Sequence, residues 1–304
     1  MMWIMSKNLR GYISAITGGI LWGASGCFGQ YLTQDKAVDP VGLTAIRLLS
    51  AGIILIIISL CFKRKNLLAL LCTRRELVRA VCFGVFGMML CQLSYLCAIA
   101  ETNAATATVI QYVGPVLVCV VVCLRDKKPP SAAEAAAVLL AVSGTYLVAT
   151  HGDPRNLVIT PSGLLWCIVA AVTVVLYTLI PGELTARRSA IVVSGVGMTV
   201  GGAVLTLLFG IQNISLPTDA AALLALCGIV LLGTVGAFSL YLSAVSDIGA
   251  VKASVLASIE PVASAAISFF WLGVRFTWLD IVGFVLIIST VFVLAIHKKR
   301  DSRT

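Results

Sequence analysis

Of 304 residues, 60% are hydrophobic and 12% charged, and the formal net charge is +9; mean hydropathy is +1.04. Soluble domains run at roughly 45–50% apolar and about 25% charged, so one aqueous core cannot hide this much apolar surface and a soluble globular protein is excluded. The basic balance would point a soluble protein toward nucleic acid, but here the placement of the charge carries the meaning.

A helix crosses a bilayer with about 20 mostly apolar residues. The charged breaks divide this chain into spans near residues 11–31, 41–62, 77–98, 104–124, 132–150, 163–180, 190–211, 220–245, 250–272 and 278–296. The expectation is an all-α integral membrane protein of about ten transmembrane helices. Between spans lie segments such as Lys63-Arg64-Lys65, Arg125-Asp126-Lys127-Lys128-Pro129-Pro130 and His151-Gly152-Asp153-Pro154, whose charges and prolines end helices. The apolar runs are too long and too uniform for the strands of a membrane barrel.

With the amino terminus cytoplasmic, Lys63-Arg64-Lys65, Arg74-Arg75, Arg125, Lys127-Lys128, Arg187-Arg188 and Lys298-Lys299-Arg300 all fall on the cytoplasmic side, while the opposite loops hold only Lys36, Arg155 and Arg275. This asymmetry is the positive-inside pattern. It predicts a multi-pass protein of the cell (inner or plasma) membrane with both termini cytoplasmic. Its basic residues then meet anionic headgroups, so membrane lipid is a partner and nucleic acid is not. The ten cysteines form no CxxC pair and the two histidines, His151 and His297, are far apart. No disulfide, metal or cofactor is expected. Ala24-Ser25-Gly26-Cys27 loosely resembles a lipoprotein cleavage box, but the apolar stretch runs on past it, and the first span is expected to stay uncleaved.

The chain repeats itself. Tyr95-Leu96-Cys97-Ala98-Ile99-Ala100-Glu101 recurs as Tyr241-Leu242-Ser243-Ala244-Val245-Ser246-Asp247, an offset of 146 that also pairs Ala104 with Ala250, Thr108 with Ser254, Pro115 with Pro261 and Ser143 with Ser289. Gly19-Ile20-Leu21-Trp22 recurs as Gly163-Leu164-Leu165-Trp166 at an offset of 144. Five spans per repeat is an odd number, so residues 1–150 and 151–304 are expected to form two inverted five-helix repeats. Such a pair gives one set of contacts two similar arrangements, outward-open and inward-open, the basis of alternating access.

At these motifs the chain resembles the EamA-type members of the drug/metabolite transporter superfamily. The resemblance rests on Leu21-Trp22-Gly23, on Arg47 after an Asp39-Pro40 start, on Tyr95-Leu96 with Ala98, and on Ile248-Gly249-Ala250-Val251-Lys252-Ala253-Ser254 through Glu260-Pro261, with Leu272-Gly273 and Gly283 beyond. It covers essentially the whole chain. One departure is Gly273-Val274-Arg275, where the family often has Gly-Glu-Arg. The resemblance implies ten helices, a central cavity open to one side at a time, and movement of small metabolites or amino acids, often outward.

Polar groups at bilayer depth are costly unless they pair or face water, so they are the first site candidates. Thr108, Gln111, Tyr112 and Pro115 share a helix face, and their counterparts are Ser254, Ala257, Ser258 and Pro261. The two prolines predict local bends with a freed carbonyl. Against a binding role, Thr108, Ser254 and Ser258 could bond their own helix backbone or ease close packing. Trp22 and Trp166 offer a flat wall and a donor for an organic solute, with interfacial anchoring as the other reading, and Tyr95 and Tyr241 are gating or packing candidates. Glu260 lies 13 residues beyond Asp247, roughly 20 Å along a helix. A carboxylate at that depth must be paired or protonated, so Glu260 is the candidate for a coupling proton or for cation recognition, against a glutamate bonding backbone near Pro261. Arg47 is placed about 10 Å inside its span, where its stem could snorkel to the interface or its charge could meet a partner or substrate carboxylate. Gly197 and Gly201 form a small-xxx-small packing pattern.

The leading expectation is therefore a secondary transporter, an exporter, of small organic metabolites or amino acids. A passive channel and a non-transporting scaffold compete with it. An intramembrane enzyme is weaker, since paired aspartates, a zinc-binding histidine pair and a nucleophile beside a base are all missing.

Overall fold

The computed structural model describes residues 7–127, 129, 132–153, 158–210, 218–248, 253 and 256–301. Every regular element among them is helical. The order is α1 (Lys7–Gln30) running into a π turn, π1 (Tyr31–Asp35), then α2 (Pro40–Phe62), α3 (Arg64–Cys72), and α4 (Arg74–Cys82), π2 (Phe83–Met89) and α5 (Leu90–Glu101) as one continuous helix. There follow α6 (Ala104–Gln111), α7 (Gly114–Asp126), α8 (Ala132–Thr150), α9 (Pro161–Leu179), α10 (Gly182–Arg188) and α11 (Ala190–Phe209). A second continuous helix joins α12 (Ala220–Cys227), π3 (Gly228–Gly236) and α13 (Ala237–Ile248), and α14 (Glu260–Leu272) and α15 (Trp278–Asp301) close the chain.

Among the described residues, six helices are long and apolar enough to cross a membrane: Pro40–Phe62, Arg74–Glu101, Ala104–Arg125, Pro161–Leu179, Ala190–Phe209 and Ala220–Val245. Ala135–Thr150, Glu260–Leu272 and Trp278–Val293 are shorter apolar helices. The outer surface carries large apolar side chains such as Leu207 (82% exposed) and Phe270 (84%), a surface that only lipid solvates well. This is a multi-pass membrane protein.

The span expected as one helix at residues 104–124 is interrupted at Tyr112 and Val113, and that expected at 250–272 is interrupted at Ser258 and Ile259. Each interruption lies three residues or fewer before a proline, whose missing N–H and ring disfavour an unbroken helix through that turn. Two features have no expectation in the sequence: the π segments π2 and π3, and the short helices α3 and α10 between apolar spans.

Helices start where a side chain can satisfy the free N–H groups of the first turn. Asp39 accepts from the Gly42 nitrogen at 2.8 Å, Asn103 from Thr106 at 2.9 Å, Thr160 from Gly163 at 3.0 Å and Asp219 from Ala222 at 2.9 Å. Pro40 and Pro161 occupy first-turn positions, where a missing N–H costs nothing. These starts gather at one end of the bundle. There Lys36 pairs with Asp219 at 3.3 Å, His151 with Asp280 at 2.9 Å, and Ser162 donates to Glu101. At the other end Arg10 grips both oxygens of Asp247 at 2.7 and 2.8 Å, and Arg188 grips Glu76 at 2.6 and 3.1 Å.

These end contacts fix how the long helices pair. Arg10 with Asp247 and Lys36 with Asp219 run α1 antiparallel to the α12–π3–α13 helix. Glu101 with Ser162 and Arg79 with the Ile180 carbonyl run α9 antiparallel to the α4–π2–α5 helix. α2 packs on α11 and α8 on α15. Small residues allow the closest approaches: a Cβ on Gly201 would stand 2.5 Å from the Gly84 carbonyl oxygen, so α11 meets π2 backbone to backbone.

Candidate functional site

Near the middle of the bundle, polar side chains from seven elements converge. Arg47 of α2 is 4% exposed. The snorkelling conformation considered from the sequence is not adopted, and the guanidinium points into the bundle. Its Nε donates to the Thr234 hydroxyl at 3.1 Å and Nη2 to the Ser25 hydroxyl at 3.5 Å. Thr234 lies in π3 and donates its own hydroxyl to the Ile229 carbonyl at 2.9 Å, which turns its lone pairs toward Arg47. Nη1 is buried and has no acceptor among the described residues.

Across the site, Tyr112 stands at the interruption between α6 and α7 and donates to Glu260 Oε2 at 3.0 Å, with the Ala257 carbonyl at 3.4 Å. Glu260 opens α14, so two interrupted helices meet through this bond. Gly23 of α1 lets α14 sit close, since a Cβ there would lie 2.8 Å from the Glu260 carbonyl oxygen. Glu260 thus bonds a side chain of the first half of the chain. Tyr95 of α5 shares a 2.6 Å hydrogen bond with Thr108 of α6, and Gln111 donates to the Cys91 sulfur at 3.6 Å. Arg47 is within electrostatic reach of Tyr95, Cys91 and Glu260, and Tyr177 of α9 is within reach of Cys91, Tyr241 and Glu260.

Trp22 packs edge-on to Phe238 (centroids 5.3 Å apart) and tilted on Tyr241 (5.2 Å), forming an aromatic seam between α1 and α13. Trp166 is half-buried against the apolar cluster that includes Ile99 and Ala170. Ser258 is buried at the second interruption. Pro115 and Pro261 stand in the first turns of α7 and α14. Ser254 lies outside the described residues. A polar hollow of about 240 Å³, lined by Glu101, Asn103, His151, Thr160, Arg275 and Asp280 among others, opens at the end where the capped helix starts gather.

The model of the EamA-like transporter family matches the chain twice, over residues 9–150 and 161–296. The chain belongs to the EamA-like transporter family. An uncharacterized inner membrane transporter, YicL, of Salmonella typhimurium is 33% identical over 299 residues, covering 98% of this chain and 99% of that protein. An uncharacterized transporter of Methanothermobacter thermautotrophicus is 24% identical over 301 residues, covering 95% and 87%. A solved crystal structure superposes with a TM-score of 0.64 at 18% identity, covering 97% of this chain and 98% of that one, and speaks for the fold alone. Family and relatives bear the names of transporters rather than of enzymes.

Within this EamA-family chain, sequence reasoning singled out Arg47, Tyr95, Thr108, Gln111, Tyr112 and Glu260, which the fold brings together. It missed Ser25, Thr234, Cys91 and Tyr177. Ser25 and Thr234 are polar residues inside apolar spans, which is a signal, but their contact with Arg47 spans 22 and 187 positions of sequence and no local pattern announces it.

Proposed function

We propose that this chain is a secondary transporter that exports a small organic solute across the cytoplasmic membrane by alternating access. In this reading it has ten transmembrane helices in two inverted repeats, residues 1–150 and 151–304, with both termini cytoplasmic. The observation that carries it is the recurrence of unusual backbone at one spacing. The interruptions at 112–113 and 258–259 are 146 residues apart, and π2 and π3 fall in the same register. The pairing of long helices follows the same exchange: α1 lies on the π3–α13 helix as α9 lies on the π2–α5 helix, while α2 with α11 and α8 with α15 pair across the two halves. The twofold family match adds to this.

Interrupted helices crossing at a polar midpoint are the general pattern of carrier sites. Trp22, Tyr95, Thr108, Gln111, Tyr112, Trp166, Ser254 and Ser258 are the candidate substrate contacts, Arg47 and Glu260 recognise charge, and Pro115 and Pro261 sustain the bends. Glu260 is the candidate proton carrier. The ties at either end, Arg10 with Asp247 and His151 with Asp280, would open and close in alternation. Export is the direction the family resemblance implies.

Saturable counterflow of a labelled solute in proteoliposomes tests the carrier against a channel or scaffold, neither of which gives counterflow. Glu260→Gln is expected to alter the pH profile of that exchange, and an unaltered profile removes the coupling role. Membrane-impermeant labelling is expected to find residues 100 and 246 on opposite faces; labelling of both from the same face would refute the inversion.

A further inference from the structure

The surroundings of Arg47 are odd for a residue that merely braces helices. It is nine-tenths buried and more, yet among the described residues no carboxylate forms an ion pair with it. Its two bonds go to neutral hydroxyls, Thr234 and Ser25. A buried donor without an acceptor costs about 1–3 kcal/mol, more when charged, and a cation at bilayer depth is costly again. An acid at position 25 or 234 would have removed that cost. Instead the two hydroxyls hold the guanidinium in place without neutralising it.

The geometry of the guanidinium says what is left over. Nε and Nη2 share one edge of the planar group, and that edge is occupied. The end-on face, made of Nη1 and the second proton of Nη2, remains, and its two parallel donors match the two oxygens of a carboxylate. Glu260 does not fill this role: its Oε2 bonds Tyr112, and no ion pair joins it to Arg47 among the described residues. Among the described residues Arg47 is the cation acting on Glu260, Tyr95 and Cys91, so the described cluster offers one positive charge, enough for a monoanion; a phosphate dianion would call for more. The repeat does not duplicate this site: the counterpart positions on α11, 191–193 at offsets of 144–146, are Ile191, Val192 and Val193.

We propose that Arg47 is the anchor for a carboxylate group on the transported solute, held end-on by Nη1 and Nη2, one anion per cycle. This rests on the carrier reading of the same site and narrows its substrate to small organic monocarboxylates.

The test uses detergent-purified full-length protein and a panel of monocarboxylates from acetate to phenylpropionate, each paired with its primary amide. At least one acid is expected to raise the unfolding midpoint by several degrees while its amide at equal concentration leaves it unchanged. Arg47→Gln should abolish that shift. Arg47→Lys, which keeps the charge but loses the fork, should raise the half-saturating concentration about tenfold or more. Should Arg47→Gln fail to fold, the acid-versus-amide comparison on the natural protein and Arg47→Lys still decide. Equal stabilisation by acid and amide, persistence of the acid effect in Arg47→Gln, or no stabilisation by any acid overturns the proposal. Counterflow separates this from the carrier reading: saturable exchange of amides with no advantage for acids overturns the carboxylate anchor and leaves the carrier standing. Acid-specific binding without counterflow of any solute upholds the anchor and overturns the carrier.

Discussion

Gly23→Ala tests whether the contact between α1 and α14 positions Glu260. A methyl at Gly23 would stand 2.8 Å from the Glu260 carbonyl oxygen, 2.9 Å from the Ser264 nitrogen and 3.0 Å from the Ala263 Cβ. Two of these atoms are backbone, so no rotamer change relieves the overlap. Ordinary heavy-atom contact is at about 3.5 Å, and the helices must part by roughly half an ångström. Overpacking of this kind costs about 1–3 kcal/mol, partly offset by the gain of up to about 1 kcal/mol from replacing a helical glycine with alanine. The net expectation is a loss of about 1 kcal/mol, seen as a fall of a few degrees in the unfolding midpoint of the purified protein. Gly182→Ala is the matched control: Gly182 opens α10 with nothing within 4 Å of its would-be Cβ, and its midpoint should hold or rise. Because Gly23→Ala displaces the turn that carries Glu260, solute exchange should fall in that variant and not in the control. A Gly23→Ala protein as stable and as active as Gly182→Ala would refute this account of the packing.

Three further outcomes follow from other contacts. In a double-mutant cycle, Tyr112→Phe and Glu260→Leu should show a coupling of about 1 kcal/mol or more, as expected for a buried hydrogen bond to a carboxyl group; additive effects would mean that the 3.0 Å bond contributes nothing. The Arg10 guanidinium, chiefly by hydrogen bonding and then by its charge, holds the Asp247 carboxyl below the usual carboxylate range. A depressed carboxyl stabilises the fold above its unfolded value of about 3.9 and loses that contribution as pH falls through the folded value, so midpoints measured from pH 7 down to 3 should fall less steeply in Asp247→Asn; parallel curves would sink the argument. Asp219, held low first by the Ala222 N–H and then by Lys36, predicts the same sign for Asp219→Asn at the opposite end of the bundle.

Much of the fold is legible in the chain. Apolar runs separated by charged breaks demand helices in lipid, because only a helix or a closed barrel satisfies its backbone without water. The repeat is legible because Tyr95-Leu96 and Tyr241-Leu242 keep their identities in one register. Pro115 and Pro261 mark where the helices are interrupted, though not that Tyr112 would stand at the first interruption and reach Glu260, 148 positions away. The π segments have no sequence signal of this kind. Without π3, Thr234 would not bond the Ile229 carbonyl five residues back.

Arg47 marks the boundary most clearly. Counting from Pro40 gives its depth along α2, about 10 Å, and at that depth either a snorkelling or an inward arginine is sound chemistry. Rise per residue sets depth but says nothing of which way a helix is turned about its axis. That rotation follows from how α5, α11 and π3 pack around α2, so the sequence alone determined a lipid-dissolved, internally repeated helical chain with one arginine in its second span. The tertiary structure alone decided that this arginine faces inward between two hydroxyls, because the contacts that orient it come from residues 22 and 187 positions away.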